Sequence, residues 1–146
     1  MSAGTAFFRR HWLPELLRDA FALGLGLTIV QKLFNPAQFA DFTRFVGLLS
    51  RTYDVPLPFD LLWIFRGIIV LEALIVLGLY GPKTLRLSLW AGGVWLLLGI
   101  GISLLSLYAK LHSACGCGLF GDNPYLLLGE KVLLLLLLLG IVKYRR

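Results

Sequence analysis

PYLLLGEKVLLLLLLLGIV (residues 124–142) decides the fold. Nineteen residues hold a single acid and a single base, Glu130 and Lys131, and ten of the rest are leucine. Crossing the hydrocarbon core of a bilayer takes about 20 mostly apolar residues in helical form. Three further stretches, 14–34, 59–80 and 84–111, approach the same length and composition. Over the whole chain 58% of residues are hydrophobic and 15% are charged, against about 25% charged in ordinary soluble domains. That leaves too little polar surface for a water-soluble globule. Alternation of the strand type is missing from the long apolar runs, which excludes a closed barrel. The expected fold is all-α: a four-transmembrane-helix bundle forming one integral membrane domain over residues 1–146, with spans at 14–34, 59–80, 84–111 and 124–142.

Between the first two spans lies AQFADFTRFVGLL, with Phe39, Phe42, Phe45, Val46 and Leu49 at helical spacing and Asp41, Thr43 and Arg44 between them. This pattern predicts an amphipathic interfacial helix over 37–51. Its role is either a surface anchor or a lid near the loop between the third and fourth spans. The basic start of the chain, with Arg9 and Arg10, resembles a signal peptide. However, Glu15, Arg18 and Asp19 interrupt the apolar segment and no small-residue cleavage site follows, so a retained helix is expected.

Four spans place both termini on one side together with the turn between spans two and three. That side carries Arg9, Arg10, Lys83, Arg86, Lys143, Arg145 and Arg146. On the other side Lys32, Arg44, Arg51 and Lys110 are mixed with Asp41, Asp54, Asp60 and Asp122. Lys and Arg concentrate in short cytoplasmic flanks. The expectation is a multi-pass protein of the inner (cytoplasmic) membrane, with both termini in the cytoplasm and the loop between spans three and four outside. The net charge of +6 then has a topological origin. No basic cluster interleaved with aromatics points to nucleic acid.

Ionisable groups within a span cost several kcal/mol unless paired or hydrated. Counting about 1.5 Å of rise per residue from the outer ends puts Arg66 and Glu130 at similar depth, and Glu72 level with Arg18. The expected pairs are Arg66–Glu130 and Arg18–Glu72, with Lys131 snorkelling outward along its stem. Such pairs either fix helix register or line a proton path or a polar pocket for a cofactor such as a quinone.

The outer loop reads HSACGCGLFGDNPY and holds the chain's two cysteines, Cys115 and Cys117, one glycine apart. A disulfide between them closes a very small ring, removes little chain entropy and carries strain. Strained, exposed disulfides are the labile or catalytic kind. Gly116 permits the tight backbone, and Gly118 and Gly121 leave room for another protein's thiol. The dipole of a helix beginning at Pro124 favours Cys117 as the stabilised thiolate. Two thiolates also suit Cu, Hg or Zn, with His112 or Asp122 as further ligands, although structural zinc wants four ligands. A third alternative is a pair of inert thiols in a non-catalytic assembly subunit.

Three elements in order resemble the MauE branch of the DoxX-like membrane proteins. Lys32-Leu33-Phe34-Asn35-Pro36-Ala37-Gln38-Phe39 is similar to its K-L-x-x-P-x-x-F element. Pro56 or Pro58, followed by Glu72 within LEAL, resembles its second-helix proline and intramembrane glutamate. Cys115-Gly116-Cys117, then Phe120-Gly121, resembles its C-G-C-F-G signature, although here Gly118 and Leu119 intervene. The resemblance implies a four-helix membrane protein of thiol–disulfide chemistry with a thioredoxin-fold partner outside the cytoplasm. In the methylamine-utilisation branch it implies a part in maturing a disulfide-rich enzyme. Lys32, Glu72, Cys115 and Cys117 carry over. A thiol–disulfide oxidoreductase exchanging electrons with such a partner, and with a quinone as the possible second one, is the function expected.

Overall fold

A computed structural model describes residues 3–57, 60–108 and 123–145. Among these residues all regular secondary structure is helical, with five α-helices and no strand: α1 (Ala3–Phe34), α2 (Pro36–Tyr53), α3 (Leu61–Gly78), α4 (Leu85–Tyr108) and α5 (Pro124–Arg145). A helix is present where 37–51 was expected to form one, and it is α2. The first helix begins well before the expected position 14 and runs through Pro14, because helix geometry, unlike apolarity, does not stop at the edge of a hydrophobic stretch.

Asparagine–proline pairs open two of the helices. Asn35 accepts a hydrogen bond from the Ala37 N–H at 3.1 Å, and Asn123 accepts one from the Tyr125 N–H at 3.0 Å. In each case the proline follows the cap, where its missing N–H costs nothing and its fixed φ suits the first turn. Asp60 caps α3 in the same way, accepting from the Leu62 N–H at 3.0 Å. The α2 helix ends at Asp54, whose φ of 50° is the left-handed conformation of a helix C-cap. Between α3 and α4 the turn is held by the Thr84 hydroxyl, which donates to the Gly78 carbonyl at 2.9 Å.

Helices α1, α3, α4 and α5 pack side by side in the cyclic order α1–α3–α4–α5. Adjacent members are antiparallel: Asp19 meets Tyr80 and Lys32 meets Glu72 across α1 and α3, and Gly92 meets Leu138 while Gly99 meets Lys131 across α4 and α5. Phe21, Leu25, Ile75, Leu96, Leu134 and Leu138 form the centre of the core. Two glycines set the helix spacing. A Cβ on Gly24 would come within 2.7 Å of Leu134, and one on Gly92 would meet Leu138, Ile75 and Phe21 at 3.3–3.5 Å. Elsewhere the helices turn leucines, valines and tryptophans outward, Trp63 at 68% and Trp90 at 77% exposure. A surface this apolar is stable against hydrocarbon rather than water.

Among the described residues three helices are long and apolar enough to cross a membrane: Leu61–Gly78, Leu85–Tyr108 and Pro124–Tyr144. The expected first span, 14–34, is not among them. Glu15, Arg18, Asp19 and Lys32 bracket its uncharged stretch. That stretch, 20–31, is about 18 Å of helix, shorter than the roughly 30 Å hydrocarbon core.

The α2 helix packs past the end of α1, against the starts of α3 and α5. Phe39 and Phe42 each lie 5.3 Å, ring centre to ring centre, from Phe65 near the start of α3. Phe45 packs with Leu127 near the start of α5. α2 therefore lies beside the end of the helix set at which residues 109–122 join α4 to α5, here called the cysteine end.

Candidate functional site

Lys32 in the last turn of α1 places its ammonium 2.6 and 2.7 Å from the two carboxylate oxygens of Glu72 on α3. Both side chains are 1% exposed. The Trp95 indole N–H on α4 donates to Glu72 Oε1 at 3.1 Å. One carboxylate thus gathers donors from two other helices and joins α1, α3 and α4. Local sequence explains each contribution. Phe21, Leu25, Thr28 and Lys32 recur on one face of α1, all buried, and the Thr28 hydroxyl is satisfied within its own helix by the Leu25 carbonyl at 2.7 Å. A cation in a helix's last turn also complements the negative end of the helix dipole.

The expected pairing Arg18–Glu72 is therefore corrected. Arg18 Nε lies 3.5 Å from Asp19, and its guanidinium sits 4.9 Å from the centre of the Tyr80 ring. The Tyr80 hydroxyl donates to Asp19 at 3.1 Å. Tyr80, in the turn after α3, has its phenol pushed above the ordinary value, first by desolvation and then by the hydrogen bond to Asp19 and that carboxylate's charge, against an opposing effect of Arg18.

Equal distance from the outer helix ends does not bring residues level here, because those ends are not level themselves. α1 stops short. Glu72 is about 16 Å in from the start of α3, whereas Lys32 is only about 3 Å from the end of α1. The α2 helix occupies the difference, so Lys32 sits where an interior residue would.

The second expected pair, Arg66–Glu130, is also corrected. Arg66 follows inward-facing Phe65 by about 100° of helix and is exposed. Its guanidinium lies 5.5 Å from the centre of the Trp63 ring. Glu130 is buried on α5 with its carboxylate 3.6 Å from the ammonium of Lys131. Lys131 does not snorkel to the surface. It is buried as well, and its stem lies 3.5–3.8 Å from where a Cβ on Gly99 of α4 would stand. Since Trp95 and Gly99 are one turn apart on α4, the two buried ion pairs occupy neighbouring levels of the interior.

Trp95 is the functional candidate that charge-based reading of the sequence misses. Its signal was available: a tryptophan deep in an apolar span needs an acceptor for its N–H, and an intramembrane glutamate is one.

Cys115, Cys117 and the alternative metal ligands His112 and Asp122 lie outside the described residues. Their chain positions fall between Tyr108, where α4 ends, and Asn123, which caps α5.

Dry, closely paired acid and base are unusual in an apolar interior, because removing both charges from water costs several kcal/mol. Within a few ångströms of each other they can hold a proton on either partner with no net charge introduced into the core. These features define a multi-pass helical membrane protein built around a buried ion pair. The family model described as "Methylamine utilisation protein MauE" matches residues 10–143, and the chain belongs to that family. Comparison with curated proteins and with solved structures returns no match.

Proposed function

We propose that this protein is a membrane thiol–disulfide redox protein. In this reading α1 and α2 together make the first of four crossings, both termini are cytoplasmic, and the segment bearing Cys115 and Cys117 faces outward. The Cys-Gly-Cys pair exchanges with a thioredoxin-fold partner. A thiolate on one side attacks a disulfide sulfur on the other and displaces its leaving thiolate, giving a mixed disulfide. The second thiolate of the attacking pair then resolves it. One dithiol becomes a disulfide and the other disulfide a dithiol, so two electrons and two protons change hands. Both thiols lie in one segment, and the chain has no other cysteine with which to relay electrons across the bilayer. A membrane quinone, which becomes a quinol by taking up two electrons and two protons, is the second redox partner that balances the exchange.

The observation that carries this reading is the placement of the chain's two cysteines. By chain position they fall in the short segment joining α4 to α5, at the end of the helix set where α1 stops short and its Lys32 meets Glu72 in the interior. A dry acid–base pair can hold a proton on either partner, which suits a membrane domain whose redox chemistry releases and consumes protons. Membership of the MauE family supports the reading, since the family description connects it with methylamine utilisation, and such a role would place the exchange in the maturation of a disulfide-rich enzyme.

Trapping tests it. In the native membrane Cys115→Ser or Cys117→Ser should accumulate a reductant-sensitive mixed disulfide on a non-reducing gel, and the double variant should accumulate none. Failure of both single variants to capture a partner would remove the reading. Stoichiometric Cu or Hg binding lost in Cys117→Ser would put a soft-metal site in its place.

A further inference from the structure

Arg66 is out of place for a residue of a membrane-crossing helix. It lies about 8 Å from the start of α3, on the side turned away from the core, and it is exposed. Phe65, its neighbour, takes the contacts with Phe39 and Phe42 of α2, so α2 covers the adjoining face. On the flank of Arg66 stand Trp63, Val70 and Leu74, all exposed and spaced as one stripe of helix. The ion pairs among the described residues join Arg18 to Asp19, Lys32 to Glu72 and Lys131 to Glu130, and none includes Arg66.

A guanidinium facing hydrocarbon is costly and is drawn along its stem toward the interface. Arg66 has made that turn: its guanidinium carbon stands 5.5 Å from the centre of the Trp63 ring, one turn nearer the helix start. Tryptophan prefers the headgroup level, and its ring face backs the cation on one side. The other side is open to the bilayer. At this depth the anion that a bilayer supplies is the phosphodiester of its own lipid, whose oxygens match the planar fork of an arginine bidentately.

We propose that Arg66 and Trp63 form a docking site for the phosphodiester of a phospholipid headgroup in the leaflet at the cysteine end. The site rests on α3 crossing a bilayer and is independent of the cysteine chemistry. Because Glu72 lies six residues further along the same helix, a lipid held at Arg66 also sets the depth of the buried ion pair.

Native mass spectrometry of the full chain, released from micelles doped with phosphatidylglycerol, tests the site. The unaltered protein should retain a phospholipid adduct. Arg66→Gln should lose it, Arg66→Lys should keep a weakened one because an ammonium is a point charge, and Trp63→Phe should weaken it too. Circular dichroism on each variant establishes that helicity is unchanged; should Arg66→Gln fail to fold, Arg66→Lys and Trp63→Phe carry the test. Diacylglycerol, which lacks the phosphate, should give no adduct. Equal phospholipid retention in the unaltered and substituted proteins, or equal retention of diacylglycerol, would overturn the proposal. Displacement of the lipid by inorganic phosphate alone would overturn the lipid as its occupant.

Discussion

Replacing Lys32 with methionine removes the ammonium and keeps most of the side-chain volume. Glu72, 1% exposed in the unaltered protein, is left with the Trp95 N–H, at 3.1 Å, as its donor from another helix. Solvent cannot screen a charge buried this completely, so the full penalty of a broken buried pair applies, about 3–5 kcal/mol. That corresponds to a loss of roughly two hundredfold to several thousandfold in the folded-to-unfolded ratio. The unfolded chain in a membrane also finds polar partners, which pulls the expectation toward the lower figure, about 3 kcal/mol. Lys32→Met/Glu72→Met removes both charges and should recover most of the loss, leaving about 1 kcal/mol for the orphaned indole N–H. Reversible unfolding in mixed micelles, followed by circular dichroism for the two single variants and the double variant, measures the coupling. A Lys32→Met variant within about 1 kcal/mol of the unaltered protein would refute the reasoning, as would a double variant whose loss equals the sum of the single losses. The double variant also separates two roles for the pair. If it folds and its cysteines still cycle with the partner, the pair fixes helix register; if it folds and cycling stops, the pair handles protons.

Trp95→Phe removes one donor to Glu72 and keeps the ring, and should cost about 1–2 kcal/mol in the same unfolding assay. Gly24→Val should cost about 1–3 kcal/mol by forcing α1 from α5 at Leu134, whereas Gly26→Val, where nothing stands within 4 Å of the added Cβ, should stay within about 0.5 kcal/mol. Asn35→Ala removes the cap of α2 and should cost about 0.5–2 kcal/mol, with faster proteolysis between α1 and α2 as a local readout.

Much of the architecture was legible in the sequence because bilayer thickness and helical rise fix the lengths of apolar runs. The helices expected from 59, 84 and 124 appear as α3, α4 and α5, and the phenylalanine spacing of 37–51 marked α2. Partners were less legible. Which acid meets which base depends on the relative depth of the helices, and the sequence does not show that α1 ends below its neighbours because α2 fills the space beside Phe65 and Leu127. Once that offset is known, Lys32 falls level with Glu72 and Arg18 falls level with Tyr80. Lys131 was misplaced for a related reason. The room for its stem is made by Gly99 on another helix, and no spacing within α5 reveals it. In the first span Glu15, Arg18, Asp19 and Lys32 are plain in the sequence, and what they decide is length: the uncharged stretch between them is too short to cross the hydrocarbon core alone.

The redox state of Cys115 and Cys117 in intact cells separates a cycling dithiol from a pair of inert thiols. Cells equilibrated across a range of thiol–disulfide poise would be treated with a membrane-impermeant maleimide that adds mass to each free thiol. Both cysteines should be labelled from outside after reduction, and should gain or lose labelling together as one two-electron couple, at a potential more oxidising than the roughly −300 mV below which structural disulfides lie. Thiols that label independently of the poise, or only after the cytoplasmic face is opened, would contradict the proposed function.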